Sequence, residues 1–336
     1  MRTERDSGTS LSARLQRSAG LVLVVLLLSG CARDGMLAPR GANASTIAGL
    51  WWYMFWVGTA VFFGWLALYG RALFRRHRPE MDHDQERRLQ RWFIIGGGII
   101  MPAVVLGSLF IANLYGLNAL PRGRDVVIDV TSYQYWWEFT YPRPGFVTAN
   151  EMYIPTDTDV RIRLSTKDVI HSFWVPQLGG KRDLVPGHPS ELTLRASEPG
   201  RYLGECAEYC GIQHATMRFA VVAVPPPEYE AWLARMAQPA ARPDTPSELA
   251  GYEAFMTNCA GCHAIRGTPA DSRVGPDLTH FAQRVELGAG AAPNDRGHLG
   301  GWIANSQSLK PGNPMPPIPV DAAALNDLLT YLESLE

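Results

Sequence analysis

The residues best equipped for chemistry sit in one short stretch, Cys206-Ala-Glu-Tyr-Cys-Gly-Ile-Gln-His-Ala-Thr-Met217. Two thiols, an imidazole and a thioether fall four, four and three residues apart. Thiolate and thioether are soft ligands that favour copper(I), and imidazole suits copper in either oxidation state. Cys206 and Cys210 lie too close together to serve separate mononuclear centres, so they read as sulfurs bridging two metal ions. His214 completes one ion, and the other then needs an imidazole from elsewhere. Val169-Ile-His171-Ser-Phe-Trp174 offers one. The competing reading is a Cys206–Cys210 disulfide in an oxidising compartment, which leaves His214 and Met217 without a role.

A second centre follows at Cys259-Ala-Gly-Cys262-His263. C-x-x-C-H is the attachment signal of a c-type haem: the two thiols add across the vinyl groups and the histidine reaches the iron. A zinc knuckle or redox C-x-x-C is the competing reading. Methionine opposite histidine is the c-type pairing that raises the potential. In residues 247–336 the methionines are Met256 and Met315. Met256 sits just before the motif on the wrong side, so Met315, in Lys310-Pro-Gly-Asn-Pro-Met-Pro316, is the expected sixth ligand. His280 and His298 remain alternatives.

The elements that must position these groups can be read in chain order. Residues 1–30 read as an export signal, with Arg14 and Arg17 before the apolar run Leu21–Leu28. That run is too short to span a bilayer, which takes about 20 residues. Two longer apolar segments, about 47–70 and 92–117, are expected to span, making 31–120 a membrane hairpin. The second contains Gly96-Gly-Gly98 and Pro102, read equally as a packing face for another subunit or as a kink. Arg71, Arg75, Arg76, Arg78, Arg87, Arg88 and Arg91 between them put the loop on the cytoplasmic side. Everything after Leu117 then lies outside.

Residues 121–236 change to short β-rich runs punctuated by Pro and Gly, as in a sandwich or barrel. Tyr133-Gln-Tyr-Trp-Trp-Glu-Phe-Thr-Tyr141 is an aromatic run on one of them. Residues 237–246 read as a semi-extended, proline-rich linker. Thr245-Pro-Ser-Glu248 marks a capped helix start for a domain at 247–336. There Leu325, Leu328, Leu329, Leu332 and Leu335 form an apolar stripe at helical spacing. With 31 basic and 32 acidic residues in 336, net charge is −1, and nucleic-acid binding has no support.

These motifs together resemble subunit II of the haem–copper cytochrome c oxidases, of the type with a fused C-terminal cytochrome c domain. C-x-E-x-C-x-x-x-H-x-x-M, the V-I-H-S-F-W strand and K-x-D-x-x-P-G at Lys181–Gly187 carry the resemblance. It implies a multi-domain membrane protein: two transmembrane helices, a cupredoxin-like Greek-key β-barrel, and a small all-α class I cytochrome c domain. It implies a binuclear CuA centre held by His171, Cys206, the Glu208 carbonyl, Cys210, His214 and Met217. The Glu208 carboxylate would face a magnesium ion. Haem c would be held by Cys259, Cys262, His263 and Met315, with the Pro276 carbonyl orienting His263 and with Trp302 also matching the pattern.

The aromatic run in that family receives electrons beside the copper. Here the matching position is Tyr135, with Trp136 and Trp137 following, where the family has a tryptophan. That departure argues against direct docking of a soluble cytochrome c and fits a chain carrying its own donor. Leu28-Ser-Gly-Cys31 resembles a lipoprotein signal, implying acylation of Cys31; a cysteine that merely follows an apolar run is the alternative.

The implied function is electron input to an oxygen-reducing, proton-pumping oxidase in the bacterial plasma membrane. Subunits I and III would be the partners, with cytochrome c or a quinol-oxidising complex as donor and membrane lipid around the helices. The electron-input subunit of a CuA-containing nitric oxide reductase, or a tethered electron carrier, would show the same motifs. No acid occupies the expected proton-input position near the inner end of the second helix; Glu86 is the nearest.

Overall fold

The structure, a computed structural model, describes residues 35–74, 81–118 and 126–336, without the side chains of 117 and 118. The expected signal at 1–30, the Cys31 acylation site and Arg75, Arg76 and Arg78 lie outside the described residues.

Helix α1 (Ala42–Phe74) is followed by a second helical segment. This starts as α2 (His83–Arg91), passes through a π-helical stretch (Trp92–Ile100) and continues as α3 (Met101–Asn118). Both segments are long and apolar enough to cross a membrane. The second begins at His83, not at Trp92 as the hydropathy predicts. Charge made α2 look like loop, yet Asp84 and Glu86 in its first turn complement the helix dipole at the start of the segment. The glycine run lies in the π-helical stretch. Pro102 has no N–H to close an α-turn onto Gly98, and the Met101 amide reaches back to Gly96. The two segments meet where the Tyr53 hydroxyl donates to Ser108 Oγ at 2.8 Å.

Among the described residues the middle domain shows ten strands: β1 (Val126–Tyr133), β2 (Trp136–Tyr141), β3 (Phe146–Ala149), β4 (Glu151–Pro155), β5 (Val160–Thr166), β6 (His171–Trp174), β7 (Arg182–Leu184), β8 (Ser190–Leu194), β9 (Gly200–Cys206) and β10 (Arg218–Val224). They form two five-stranded sheets, ordered β3-β2-β1-β5-β8 and β4-β10-β9-β6-β7. β1–β5 and β4–β10 pair in parallel and the other neighbours antiparallel. This is a cupredoxin-like sandwich. Alternation explains the sheets: in β5 Val160, Ile162 and Leu164 point inward, while Arg161 and Arg163 pair outside with Glu191 and Asp129. Phe219 centres the core, with ring centroids 4.6 Å from Phe173 and 5.0 Å from Trp137. Burying each such ring contributes about 1.5–3 kcal/mol.

Helix α4 (Pro226–Met236) lays Trp232 flat on Tyr153, centroids 4.3 Å apart. The segment after it is pinned rather than free. Met236 O accepts from Arg266 at 2.6 Å, the Ala240 amide donates to Arg266 O at 3.0 Å, and Gln238 O lies 3.1 Å from His280 Nε2. Its prolines supply the extended shape, and packing removes the freedom expected of a tether.

The C-terminal domain contains α5 (Pro246–Asn258), α6 (Arg296–Leu309) and α7 (Ala322–Glu333), with a two-residue strand pair at Glu286–Leu287 and Ala292–Pro293. α5 starts with the expected capping box of Thr245 and Glu248, and Asp321 caps α7. Leu328, Leu329, Leu332 and Leu335 are buried with Phe255, Ile303 and Tyr331.

Candidate metal and haem centres

The copper loop joins β9 to β10 and is tied down at several points. The Cys206 amide donates to Met217 O at 3.0 Å and the Ala207 amide to Ser172 O at 2.9 Å. Those bonds bring the loop against β6, which carries His171. All six predicted ligands converge. The sulfurs of Cys206 and Cys210 are 3.8 Å apart. His171 Nδ1 is 3.8 Å and Glu208 O 3.2 Å from Cys206 Sγ. His214 Nδ1 is 3.9 Å and Met217 Sδ 3.8 Å from Cys210 Sγ. Each sulfur therefore has its own imidazole and one further soft or carbonyl ligand, and the two halves share the sulfur pair.

The protonation of the two sulfurs is consistent with that. The hydrogen bond with Cys210 draws the Cys206 thiol well below its ordinary range against its burial, helped by His171. The same bond pushes Cys210 up. Thiols in so close a pair must lose their protons for a metal cation to bind there. The donor set, two thiolates, two imidazoles, a thioether and a carbonyl, fits copper. The Glu208 side chain is exposed.

Sequence reasoning missed Asp168. Its Oδ1 lies 2.8 Å from His171 Nε2 and accepts from the Val169 amide at 2.7 Å, while Oδ2 accepts from the Gln134 amide at 2.6 Å. Burial works against its charge, but these bonds hold the carboxyl below its ordinary range. A carboxylate on the far nitrogen fixes the ring's tautomer and turns Nδ1 toward the sulfurs. A polar residue three before a histidine was the only signal, and it is weak.

The haem residues also converge. Cys259, Cys262, His263 and Met315 line one cavity with Leu278, Leu299, Trp302, Ile303 and Leu332. His263 Nδ1 lies 2.8 Å from Pro276 O, as predicted. Burial lowers the His263 pKa, so the ring is neutral, with Nδ1–H donating to the carbonyl and the Nε2 lone pair left over. A Cβ at Gly275 would fall 2.7 Å from the ring, so only glycine fits beside it. Met315 is held by its carbonyl, which accepts from Ser306 Oγ at 2.6 Å, while Trp302 Nε1 donates to its sulfur at 3.2 Å. His280 and His298 do not line this cavity: His280 is bonded to the carbonyls of Glu336 and Gln238, and His298 to Asp295.

The fit to haem has a second mark. Arg284 lines the same cavity and is half-buried, and its Nε is shielded from solvent with no hydrogen-bond partner among the described residues. An unpaired guanidinium nitrogen in an apolar slot suits an anionic propionate.

The aromatic run divides between the two centres. Trp137 is fully buried in the copper-domain core, edge-on to His171 and Phe173. Tyr135 and Trp136 line the haem cavity.

Comparison with known proteins agrees with both centres. Residues 144–224 match the family described as cytochrome c oxidase subunit II, periplasmic domain, and residues 249–336 match cytochrome c. A cytochrome c oxidase subunit 2 from Alkalihalophilus pseudofirmus is 37% identical over 287 residues, 82% of this chain and 81% of that one. One from Bacillus subtilis is 30% identical over 349 aligned residues, 94% and 96% of the two chains. The crystal structure of the periplasmic domain of subunit II of cytochrome oxidase from Bradyrhizobium japonicum is 30% identical, covers 35% of this chain and 96% of that one, and gives a TM-score of 0.33. The copper domain implies a CuA centre and the C-terminal domain a haem c. With two apolar helices and a periplasmic-type domain, this is a membrane protein whose redox domains lie on the outer face. The chain belongs to the cytochrome c oxidase subunit II family, in the form that carries a cytochrome c domain at its C-terminal end.

Proposed function

We propose that this chain is the electron-input subunit of a respiratory cytochrome c oxidase. Electrons from cytochrome c and from its own haem c pass through the binuclear CuA centre to the haem–copper site of subunit I, where oxygen is reduced and protons are pumped. When bound, the copper pair and the haem supply one-electron carriers; the protein's residues hold, orient and insulate them. Cys206, Cys210, His171, His214, Met217 and the Glu208 carbonyl would hold the two coppers, with Asp168 fixing His171. Cys259, Cys262, His263 and Met315 would hold the haem.

The observation that carries this reading is a wall shared by both centres. Tyr135 lines the cavity of His263 and Met315, and its hydroxyl packs on Gly211, the residue after Cys210. Gln134 Nε2 meanwhile donates to Cys210 O at 2.6 Å. A path through packed protein favours transfer between fixed centres. The Glu208 carboxylate, exposed on the copper loop, would hold a magnesium ion against subunit I. In this reading the units are 121–236 for copper and 247–336 for haem, subunit III completes the complex, and an acylated Cys31 adds to the anchoring of two helices in the plasma membrane.

Affinity purification through a tag on this chain, from detergent-solubilised membranes, tests the reading. A multi-helix haem–copper subunit should co-purify, and reduced cytochrome c should drive oxygen uptake. A stable chain with no haem subunit, or nitric oxide turnover without oxygen uptake, would contradict it.

A further inference from the structure

Lys310 carries the haem-domain sequence into the interface between the two redox domains. It is 2% exposed, and Nζ donates to three backbone carbonyls: Tyr135 O at 3.1 Å, Thr216 O at 2.9 Å and Gly288 O at 2.6 Å. The first two acceptors belong to the copper domain and the third to the haem domain. Among the described residues no carboxylate pairs with it. A buried amino group is costly unless all its donors are used, and here they are used only while the two domains are together. Burial pulls its pKa down to about 7, against the attraction of the Cys210 sulfur.

The acceptors themselves are informative. Tyr135 walls the haem cavity, and Thr216 immediately precedes Met217 of the copper loop. One nitrogen thus touches backbone belonging to both centres. Contacts beside it fit the same register: Gln213 Nε2 donates to Pro311 O at 2.8 Å, and the Arg218 amide to Ala289 O at 3.0 Å. Ala289 in turn buries Trp136. At the far side the Val285 amide donates to Glu151 Oε1 at 2.9 Å, and Arg201 bridges Glu151 and Glu286.

We propose that Lys310 is a positioning residue for transfer between the centres, an interdomain latch that holds the haem domain on the copper loop in a single register. Its other consequence is that the aromatic turn at Tyr135 and Trp136 is covered by the chain's own donor. The functional part of this inference rests on the reading above; the latch itself does not.

The test uses the full chain in its matured, membrane-extracted complex, comparing wild type with Lys310→Met, which keeps the stem and removes the donors. Hydrogen exchange should rise about tenfold or more at the Arg218 and Val285 amides, the loss expected when buried carbonyls go unpaired. Amides whose own hydrogen bonds run between β9 and β10 should not change. After photoinjection of one electron at the haem, arrival at copper should slow about tenfold, with the visible and near-infrared spectra and metal content unchanged.

Unchanged exchange at Arg218 and Val285 overturns the latch. Raised exchange with an unchanged transfer rate overturns the positioning role. If the wild type shows no haem-to-copper transfer at all, the electron-input reading fails while the exchange arm still decides the latch. Should Lys310→Met not accumulate, Lys310→Gln, shorter but still a donor, is read the same way: intermediate values support the latch and wild-type values refute it.

Discussion

Replacing Asp168 by asparagine asks whether the carboxylate behind His171 tunes the copper site or merely fills space. Asp168 accepts from His171 Nε2 and the Val169 amide on one oxygen and from the Gln134 amide on the other, with Thr166 Oγ1 also 3.3 Å from the first. An asparagine has one acceptor oxygen. If that oxygen serves His171 and Val169, its NH2 group meets the Gln134 N–H donor to donor. If it turns the other way, His171 loses its acceptor. A hydrogen bond to a charged group is worth about 1.5–3 kcal/mol and a neutral one about 0.5–1.5, so the His171 bond alone loses about 1–1.5 kcal/mol, roughly tenfold in affinity. Movement of Gln134, whose side chain holds Cys210 O, adds to this, and outer-shell partners of metal ligands commonly contribute 10–100-fold. Copper affinity of Asp168→Asn, measured by competition with a chelator of known strength, should therefore fall about 10–100-fold while haem content stays constant. Affinity within twofold of wild type would refute the argument, and a drop in melting temperature without loss of copper affinity would reduce Asp168 to a structural role.

Gly211→Ala should also damage the copper loop: φ is 128° there, and a Cβ would fall on the Tyr135 hydroxyl. A cost of about 1–3 kcal/mol is expected, read as a lower melting temperature and a broadened near-infrared copper band. Met315→Ala removes the sulfur that accepts from Trp302 Nε1 and the expected sixth ligand. The haem should stay covalently attached, its potential should fall in a redox titration, and the copper signal should be untouched.

Much of both sites was legible because the chemistry is local in sequence. Cys206, Cys210, His214 and Met217 lie on one loop, and Cys259, Cys262 and His263 on one turn, so spacing alone constrains the ligands. Met315 was found because the haem lacked a sixth ligand and its domain offers two methionines, and His171 because the copper pair lacked an imidazole and the V-I-H-S-F-W segment offers one. The helical stripe of α7 and the Thr245 cap follow from period and propensity. What escaped reading depends on contacts distant in sequence or on groups with many ordinary uses. Asp168 looks like any polar turn residue until β6 turns His171 over it. Lys310 belongs to a haem-domain motif, yet its acceptors Thr216 and Tyr135 lie 94 and 175 residues away. The proline-rich segment after α4 has the composition of a free tether, and only the carbonyl and guanidinium contacts to Arg266 and His280 hold it down. Likewise, charge disguised α2 as loop, because charged side chains suit an exposed helix as well as a turn.

The central claim is that neighbouring cysteines hold a pair of copper ions while the same chain carries a haem. It is tested most directly by elemental analysis of the purified, fully matured chain, with covalent haem counted on the same sample. Two coppers and one haem per chain are predicted, with Cys206→Ser abolishing the copper and sparing the haem. A wild-type chain that holds its haem but contains no copper, or zinc in its place, would contradict the account.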